Sequence, residues 1–227
     1  VQAAFLTQAA WPSFSSDSVH IAVVDPGVGT ERRAIALETP NGRFVGPDNG
    51  VLSAALPDDA RPAREGPVAL PAEYGAVELT SRAYQRAAVS ATFHGRDVFA
   101  PAAAHLSLGV ALAALGPPVE RIIALPPVRA RPRADGAIEA TVVHIDRFGN
   151  AVTDARAGDL PAGPLTIDVA GQRVPGLVQT YAEAAGPAAL VSSSGFVEIA
   201  LRDDNAAEAL GIDIGARVVV RADGASR

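Results

Sequence analysis

The segment 20–33 constrains the fold more than any other stretch of this chain; it reads His-Ile-Ala-Val-Val-Asp-Pro-Gly-Val-Gly-Thr-Glu-Arg-Arg. Four apolar, mostly β-branched residues, 21–24, lead to Asp25, and a proline and two glycines follow. This pattern predicts a buried strand that ends in a tight turn. We therefore expect Asp25 at the carboxyl end of a strand, the edge at which open α/β sheets bind their ligands.

The turn after Asp25 also collects positive charge. Gly27 and Gly29 have no Cβ, so the turn can adopt a positive φ or let a ligand approach the backbone closely. Arg32 and Arg33 then bring guanidinium groups back to the same end of the strand. A carboxylate and a guanidinium on one loop suit a polar site, and they suit an ordinary surface ion pair equally well.

Composition excludes several classes of protein. The 227 residues suffice for one large or two small domains, and 48% hydrophobic with 19% charged residues is typical of a globular protein. A net charge of −6 without a basic run argues against a nucleic-acid partner. Cysteine is absent, which excludes disulfides, and the four histidines are scattered, so we do not expect a metal site.

The sequence carries no sign of a membrane or an export signal. No apolar run is long enough to span a bilayer, and no secretory signal pattern opens the chain, so we expect a cytoplasmic protein without a membrane partner. Position 1 is valine, not methionine. We therefore expect Val1 to be an internal residue of a longer chain.

Two domains of different class are predicted. Residues 1–125 combine helical patterns, over 1–11 and 102–115, with strand patterns such as 34–38 and a hairpin turn at 39–42. Residues 126–133 are rich in proline and arginine and read as a linker. Residues 134–227 hold short strands separated by turns. The predicted fold class is thus α/β, with an N-terminal α/β domain around a central sheet and a smaller C-terminal all-β, barrel-like domain.

Two further polar clusters lie in predicted loops. His94 precedes the second helix beside Gly95, where a histidine is free to act, whereas His105 falls on the apolar face of that helix and is expected in the core. The segment 144–150 offers a carboxylate, an aromatic ring and an amide, which suits a ligand with a cation and a heteroaromatic base. The same residues also suit a β-turn.

Taken together, these stretches resemble one family, the S-adenosylmethionine hydroxide adenosyltransferases or SAM hydrolases, relatives of the fluorinase and the chlorinase. The matching runs occur in family order and span nearly the whole chain: 23–33, 45–50, 92–97 with 99–106, 145–150, and 193–200 followed by 205–207.

The resemblance implies a reaction and an assembly. S-adenosylmethionine and water give adenosine and L-methionine, without a metal or another cofactor, in a homotrimer whose sites lie between subunits. The family's catalytic set falls on Asp25, Arg32 and His94. Which of Asp25 and His94 takes the proton from water is left open by the sequence.

The resemblance also implies substrate contacts. These fall on Gly95, Asp146, Phe148, Asn150, Ser193, Ser194 and, through the backbone, Ala206. Asp146 is expected to face the methionine ammonium group. One departure is the N-terminal strand of the family, whose Thr-Asp-Phe-Gly-like turn holds the ribose; either it precedes Val1 or the ribose is held differently.

Two rival functions remain at this stage. The first is a halogenase of the same superfamily, and the second is a protein that binds adenosine or S-adenosylmethionine without turnover. Asp25 stands where the halogenases carry a tyrosine, and Gly95 stands where the fluorinase has a serine. An ionised carboxylate repels a halide ion, and glycine has no hydroxyl to offer the ion. Both departures therefore favour water as the nucleophile.

Overall fold

A computed structural model describes residues 1–223. The chain divides into two compact units, Val1–Pro127 and a second that begins at Val128. The predicted fold class is confirmed, because the first unit mixes helices with strands and the second is mainly antiparallel β. None of the helices in the described residues has the length and hydropathy that a membrane crossing requires.

The elements of the first unit are α1 (Gln2–Ala10), β1 (Val19–Ile21), β2 (Ala34–Thr39), β3 (Gly42–Pro47), β4 (Gly66–Ala69), β5 (Gly75–Glu78), α2 (Ala100–Ser107) and β6 (Arg121–Ala124). Four of the strands form a mixed sheet in the order β1-β3-β2-β5, and β4 and β6 form a separate pair. Strand β1 is parallel to β3, whereas β2 is antiparallel to both of its neighbours. The predicted hairpin turn at 39–42 is confirmed, since Thr39 pairs with Gly42 across it.

The apolar run before Asp25 departs from the prediction. Strand β1 ends at Ile21, and the ladder continues only as a hydrogen bond from the Ala22 nitrogen to the Val45 oxygen. Ile21, Val23 and Val24 are 50%, 38% and 57% exposed. The predicted buried strand over 21–24 is therefore wrong: the strand ends at Ile21, and Val23 and Val24 follow in an irregular segment whose side chains reach solvent.

The second predicted helix is also shorter than expected. Helix α2 ends at Ser107, and Gly109 follows with φ +88, a left-handed conformation that stops helices. A separate 3₁₀ helix, Leu112–Leu115, returns to the core. His105 is half-buried and packs edge-on against Tyr84, with ring centroids 5.0 Å apart.

The elements of the second unit are β7 (Arg131–Pro132), β8 (Ile138–Ile145), β9 (Ala151–Arg156), β10 (Leu165–Val169), β11 (Gln172–Pro175), β12 (Ala188–Val191), β13 (Phe196–Ala200), α3 (Ala206–Leu210) and β14 (Arg217–Ala222). The strands form an eight-stranded, barrel-like sheet in the order β11-β10-β14-β8-β9-β13-β12, with β7 paired to β8. A bridge between Leu177 and Ala189 brings the two ends of the sheet together. Val142, Ile167 and Ile199 are fully buried in the core that the sheet encloses.

Candidate active site

The loop that carries Asp25 is closed by its own backbone. The backbone nitrogen of Val28 donates to the backbone carbonyl oxygen of Asp25 (3.3 Å), and the Thr30 hydroxyl donates to the backbone carbonyl oxygen of Gly27 (2.7 Å). Gly29 has φ +80, and a Cβ there would lie 3.0 Å from the Ala91 oxygen. The positive φ and this close approach favour glycine at position 29, where the loop meets the backbone of a second loop, 85–93, which leads into the helical turn that begins at His94.

Arg32 joins Asp25 to His94. The Arg32 Nε atom lies 2.9 Å from Asp25 Oδ1 and 3.0 Å from Oδ2, and Nη2 also donates to Oδ2. The same Nη2 lies 2.9 Å from Nδ1 of His94. The side chains of Arg32 and Asp25 are only 11% and 6% exposed, and the guanidinium lies over the Phe99 ring. The structure thus brings the three predicted catalytic side chains into direct contact.

The contact between Arg32 and His94 defines the tautomer of the imidazole. A guanidinium group has donors and no acceptor, so Nδ1 of His94 accepts this hydrogen bond. In the neutral ring the proton is then on Nε2, which is a donor. His94 in this arrangement offers an N–H group to a ligand, while Asp25 offers carboxylate oxygens.

A buried carboxylate holds the loop around His94. Asp97 is fully buried and accepts from the Ser90 nitrogen (2.9 Å) and from Arg96 Nε (2.7 Å). These hydrogen bonds, with that to Arg96 the strongest, hold the pKa of Asp97 well below its ordinary value. Gly95 begins a single π-helical turn, Gly95–Phe99; a Cβ at Gly95 would be 3.8 Å from Val23, an ordinary contact.

A second polar cluster lies in the other unit, in the turn between β8 and β9. Oδ1 of Asp146 accepts from the backbone nitrogens of Phe148 (2.8 Å) and Asn150 (2.9 Å), and Oδ2 accepts from Nδ2 of Asn150 (3.0 Å). The Phe148 ring is 78% exposed. The prediction that these residues form a β-turn is therefore confirmed by the backbone hydrogen bonds. The turn also presents an aromatic ring beside a carboxylate.

Helix α3 supports this turn. Gly149 has φ +85, and a Cβ there would lie 2.0 Å from Oδ1 of Asn205. That Asn205 oxygen also caps α3 by accepting from the Glu208 nitrogen at 3.0 Å. Ala206 is fully buried at the start of the helix, and a contact between its backbone and a ligand remains a prediction.

A cavity of about 720 Å³ contains part of the predicted substrate site. Its lining residues are Asp146, Phe148, Asn150, Tyr181, Ala182, Leu201, Arg202, Asp203 and Asp204. Ser193, Ser194 and Ala206 do not line it. Ser194 lies in a tight turn with its hydroxyl 2.8 Å from that of Ser192, and contacts of a ligand with Ser193 and Ser194 remain a prediction.

Tyr181 and Glu198 were not predicted from the sequence. The Tyr181 hydroxyl donates to Oε1 of Glu198, a residue that is only 5% exposed. Burial, and then the nearby charge of Asp146, raise the pKa of Glu198, and the hydrogen bond to Glu198 raises the pKa of Tyr181 to about 12. A glutamate inside the otherwise apolar strand β13 was the available signal.

Metal ligands were not expected. Within residues 1–223, no three His, Asp or Glu side chains are grouped so that they could hold a metal ion.

Two solved structures resemble this chain. A conserved uncharacterized protein from Thermotoga maritima superposes with a TM-score of 0.81 at 27% identity, covering 97% of this chain and 83% of that one. A conserved hypothetical protein from Thermus thermophilus gives a TM-score of 0.70 at 37% identity, covering 96% of this chain and 80% of that one.

Curated relatives agree in name. A protein of Salinispora tropica named (R)-S-adenosyl-L-methionine hydrolase is 45% identical over 210 residues, which is 90% of this chain and 75% of the relative. A Thermus thermophilus protein of the same name is 40% identical over 225 residues, covering 94% and 80%.

The family domains match both units. Residues 1–116 match the SAM hydroxide adenosyltransferase N-terminal domain, and residues 140–219 match the corresponding C-terminal domain. The chain belongs to the SAM hydroxide adenosyltransferase family.

Proposed function

We propose that this protein hydrolyses S-adenosylmethionine to adenosine and L-methionine. The observation that carries the proposal is the Arg32 guanidinium, which binds Asp25 and His94 together in a chain of this family. The names of the relatives at 40–45% identity support a hydrolase over a halogenase.

The residue chemistry suits attack by water on the ribose 5′ carbon. A C–O bond forms while the C–S bond breaks, and the sulfonium departs as a neutral thioether, so the leaving group needs no general acid. The attacking water must lose a proton. Arg32 occupies Nδ1 of His94 and leaves an N–H at Nε2, so we assign the proton to Asp25 and assign to His94 the orientation of the water oxygen.

Arg32 has an electrostatic part in this scheme. Its guanidinium is largely buried and already fixed by Asp25, so it needs no reorganisation to stabilise negative charge that develops on the attacking oxygen. Holding the water in line with the reacting carbon supplies a further part of the rate. No step of the scheme uses a metal or another cofactor.

The cavity in the second unit is the proposed substrate pocket. A carboxylate at Asp146 suits the methionine ammonium group, and the exposed Phe148 ring suits stacking on adenine. Because Asp25 and Asp146 belong to different compact units, we propose that one subunit supplies the catalytic side chains and a neighbour supplies the pocket in a homotrimer. The resemblance to the family supports this assembly.

Product analysis tests the proposed reaction. Purified protein incubated with S-adenosylmethionine should release adenosine and methionine in equal amounts, and EDTA should leave the rate unchanged. Binding of S-adenosylmethionine with no product over hours would reject the enzyme in favour of a binding protein.

A further inference from the structure

Glu198 is a buried carboxylate for which the structure provides no cation. It lies on β13, is 5% exposed, and receives its hydrogen bond from the neutral hydroxyl of Tyr181. Within the described part of the chain, the charged side chain that acts on it is Asp146, which is also negative. A buried charge that meets only a neutral donor and a like charge is costly, so a cationic ligand near Glu198 would be stabilised by it.

The position of Glu198 relative to the cavity indicates where that cation belongs. Tyr181, the hydrogen-bond partner of Glu198, lines the cavity together with Asp146. Glu198 therefore lies behind Tyr181 and does not itself line the cavity. Asp203 and Asp204 add carboxylates to the lining, and Arg202 contributes a cation that is paired with Asp203 at 3.3 Å.

We propose that Glu198 is a specificity-determining residue, whose buried charge behind Tyr181 selects a sulfonium ligand over the corresponding neutral thioether. The proposal rests on the proposed function, since S-adenosylmethionine carries a sulfonium and an ammonium group. Of the carboxylates on the cavity lining, Asp146 is assigned to the ammonium group, and Asp203 and Asp204 are exposed to solvent. Glu198 supplies a buried negative charge for the sulfonium. Burial strengthens this charge–charge interaction, because little water screens it.

This role affects binding more than chemistry. The positive charge on sulfur disappears as the C–S bond breaks, so a nearby carboxylate stabilises the bound substrate at least as much as the transition state. Loss of the Glu198 charge should therefore raise KM and should not lower kcat. The same charge favours binding of the cationic substrate over binding of the product, in which the thioether sulfur is neutral.

Titration calorimetry at pH 8 with two ligands that are not hydrolysed tests the proposal. Sinefungin carries an amine in place of the sulfonium, and S-adenosylhomocysteine carries a neutral thioether at the same place. Wild-type protein should prefer sinefungin. Glu198→Gln, which retains an oxygen acceptor for Tyr181, should reduce the ratio of the two Kd values by about tenfold, mainly through weaker binding of sinefungin.

The matched control is Asp213→Asn. Asp213 belongs to the same unit but is exposed and does not line the cavity, so removal of its screened charge should change the ratio by less than about twofold. Equal weakening of both ligands by Glu198→Gln would make Glu198 a support for the pocket wall and overturn the proposal. An unchanged ratio would also overturn it.

Wild-type protein alone keeps the proposal falsifiable if Glu198→Gln does not fold. Equal affinity of the wild type for both ligands would reject selection by charge without any variant. Failure of the proposed function gives a different result, namely absence of adenosine from S-adenosylmethionine while the preference for sinefungin persists.

Discussion

The two polar clusters of this protein treat charge in opposite ways. In the first unit, the Asp25 carboxylate is paired with Arg32 within the chain, and the guanidinium extends the pairing to His94. In the second unit, Asp146 accepts from amide groups and Glu198 accepts from a hydroxyl. The first cluster is electrostatically complete before any ligand arrives, whereas the second has negative charge to offer.

Under the proposed function, this difference separates catalysis from binding. A network that is already paired fixes protonation states and side-chain positions, which is what a reaction centre needs. Carboxylates held only by neutral donors retain their attraction for a cation, which is what a pocket for a sulfonium and an ammonium group needs. Variants of the first cluster should therefore change kcat, and variants of the second should change KM.

The largest effect is expected for Asp25→Asn. Loss of the proton acceptor should lower kcat by about a hundredfold or more, while the Kd for sinefungin changes little. His94→Ala should cause a loss of similar order. The control is His105→Gln, which alters a half-buried histidine packed against Tyr84 and should leave kcat unchanged. An equal fall of kcat in the His105 and His94 variants would show that His94 is not the functional histidine.

Arg32→Lys sharpens the same side of the comparison. Lysine keeps the charge but has a single nitrogen, and it cannot contact both carboxylate oxygens and Nδ1 of His94 as the guanidinium does. We expect kcat to fall by about tenfold to a hundredfold. In ¹⁵N NMR spectra, the wild-type His94 ring should show the Nε2–H tautomer. An Nδ1–H tautomer in the wild type would contradict the assigned roles.

Asp146→Asn tests the binding side. The amide removes one negative charge. In either orientation its NH₂ group also faces an N–H donor, the Phe148 backbone or the Asn150 side chain, and one hydrogen bond is lost. KM should rise by about tenfold or more, with a smaller change in kcat. A fall in kcat without a rise in KM would show that the two clusters are not divided in this way.

Mixing the Asp25→Asn and Asp146→Asn proteins, with activity measured far below the KM of the wild type, tests whether sites are shared between subunits. If one subunit supplies Asp25 and its neighbour supplies Asp146, mixed oligomers contain some sites with both carboxylates, and kcat/KM should rise above the mean of the two separate proteins after subunit exchange. If each site lies within one subunit, kcat/KM of the mixture stays at that mean. Light scattering that gives a monomer mass for active protein would also exclude the trimer.

The smallest expected effect concerns stability outside both clusters. His20 lies between Phe14 and Phe44, its Nε2 is buried without a hydrogen-bond partner, and burial lowers its pKa. The unfolded chain then binds the proton more readily, so the free energy of unfolding should fall as the pH drops below about 6.5. His20→Phe should make this pH dependence shallower in urea unfolding at pH 7.5 and 5. An unchanged slope would contradict the assignment to His20.

The sequence predicted the parts of the fold that local rules determine. The hairpin turn at 39–42 and strands such as Leu165–Val169 follow from turn residues and alternating patterns. The exposure of Val23 and Val24 could not be predicted, because apolar composition does not reveal whether a strand has a layer to pack against.

The candidate sites show the same limit. Asp25, Arg32 and His94 were found through short motifs, but the hydrogen bond that defines the His94 tautomer depends on two loops meeting. Tyr181 occupies a turn-like stretch without a pattern of its own. Glu198 in an apolar strand was a usable signal, since a buried glutamate requires a partner, yet only the fold shows that the partner is Tyr181.

The central claim is that water attacks the ribose 5′ carbon of S-adenosylmethionine. Incubation in ¹⁸O-labelled water with a high concentration of chloride, followed by mass spectrometry of the nucleosides, tests it most directly. We expect adenosine labelled at the 5′ oxygen, unlabelled methionine and no 5′-chloro nucleoside, with product formation lost in Asp25→Asn. Unlabelled adenosine, or a substantial fraction of 5′-chloroadenosine, would contradict the account.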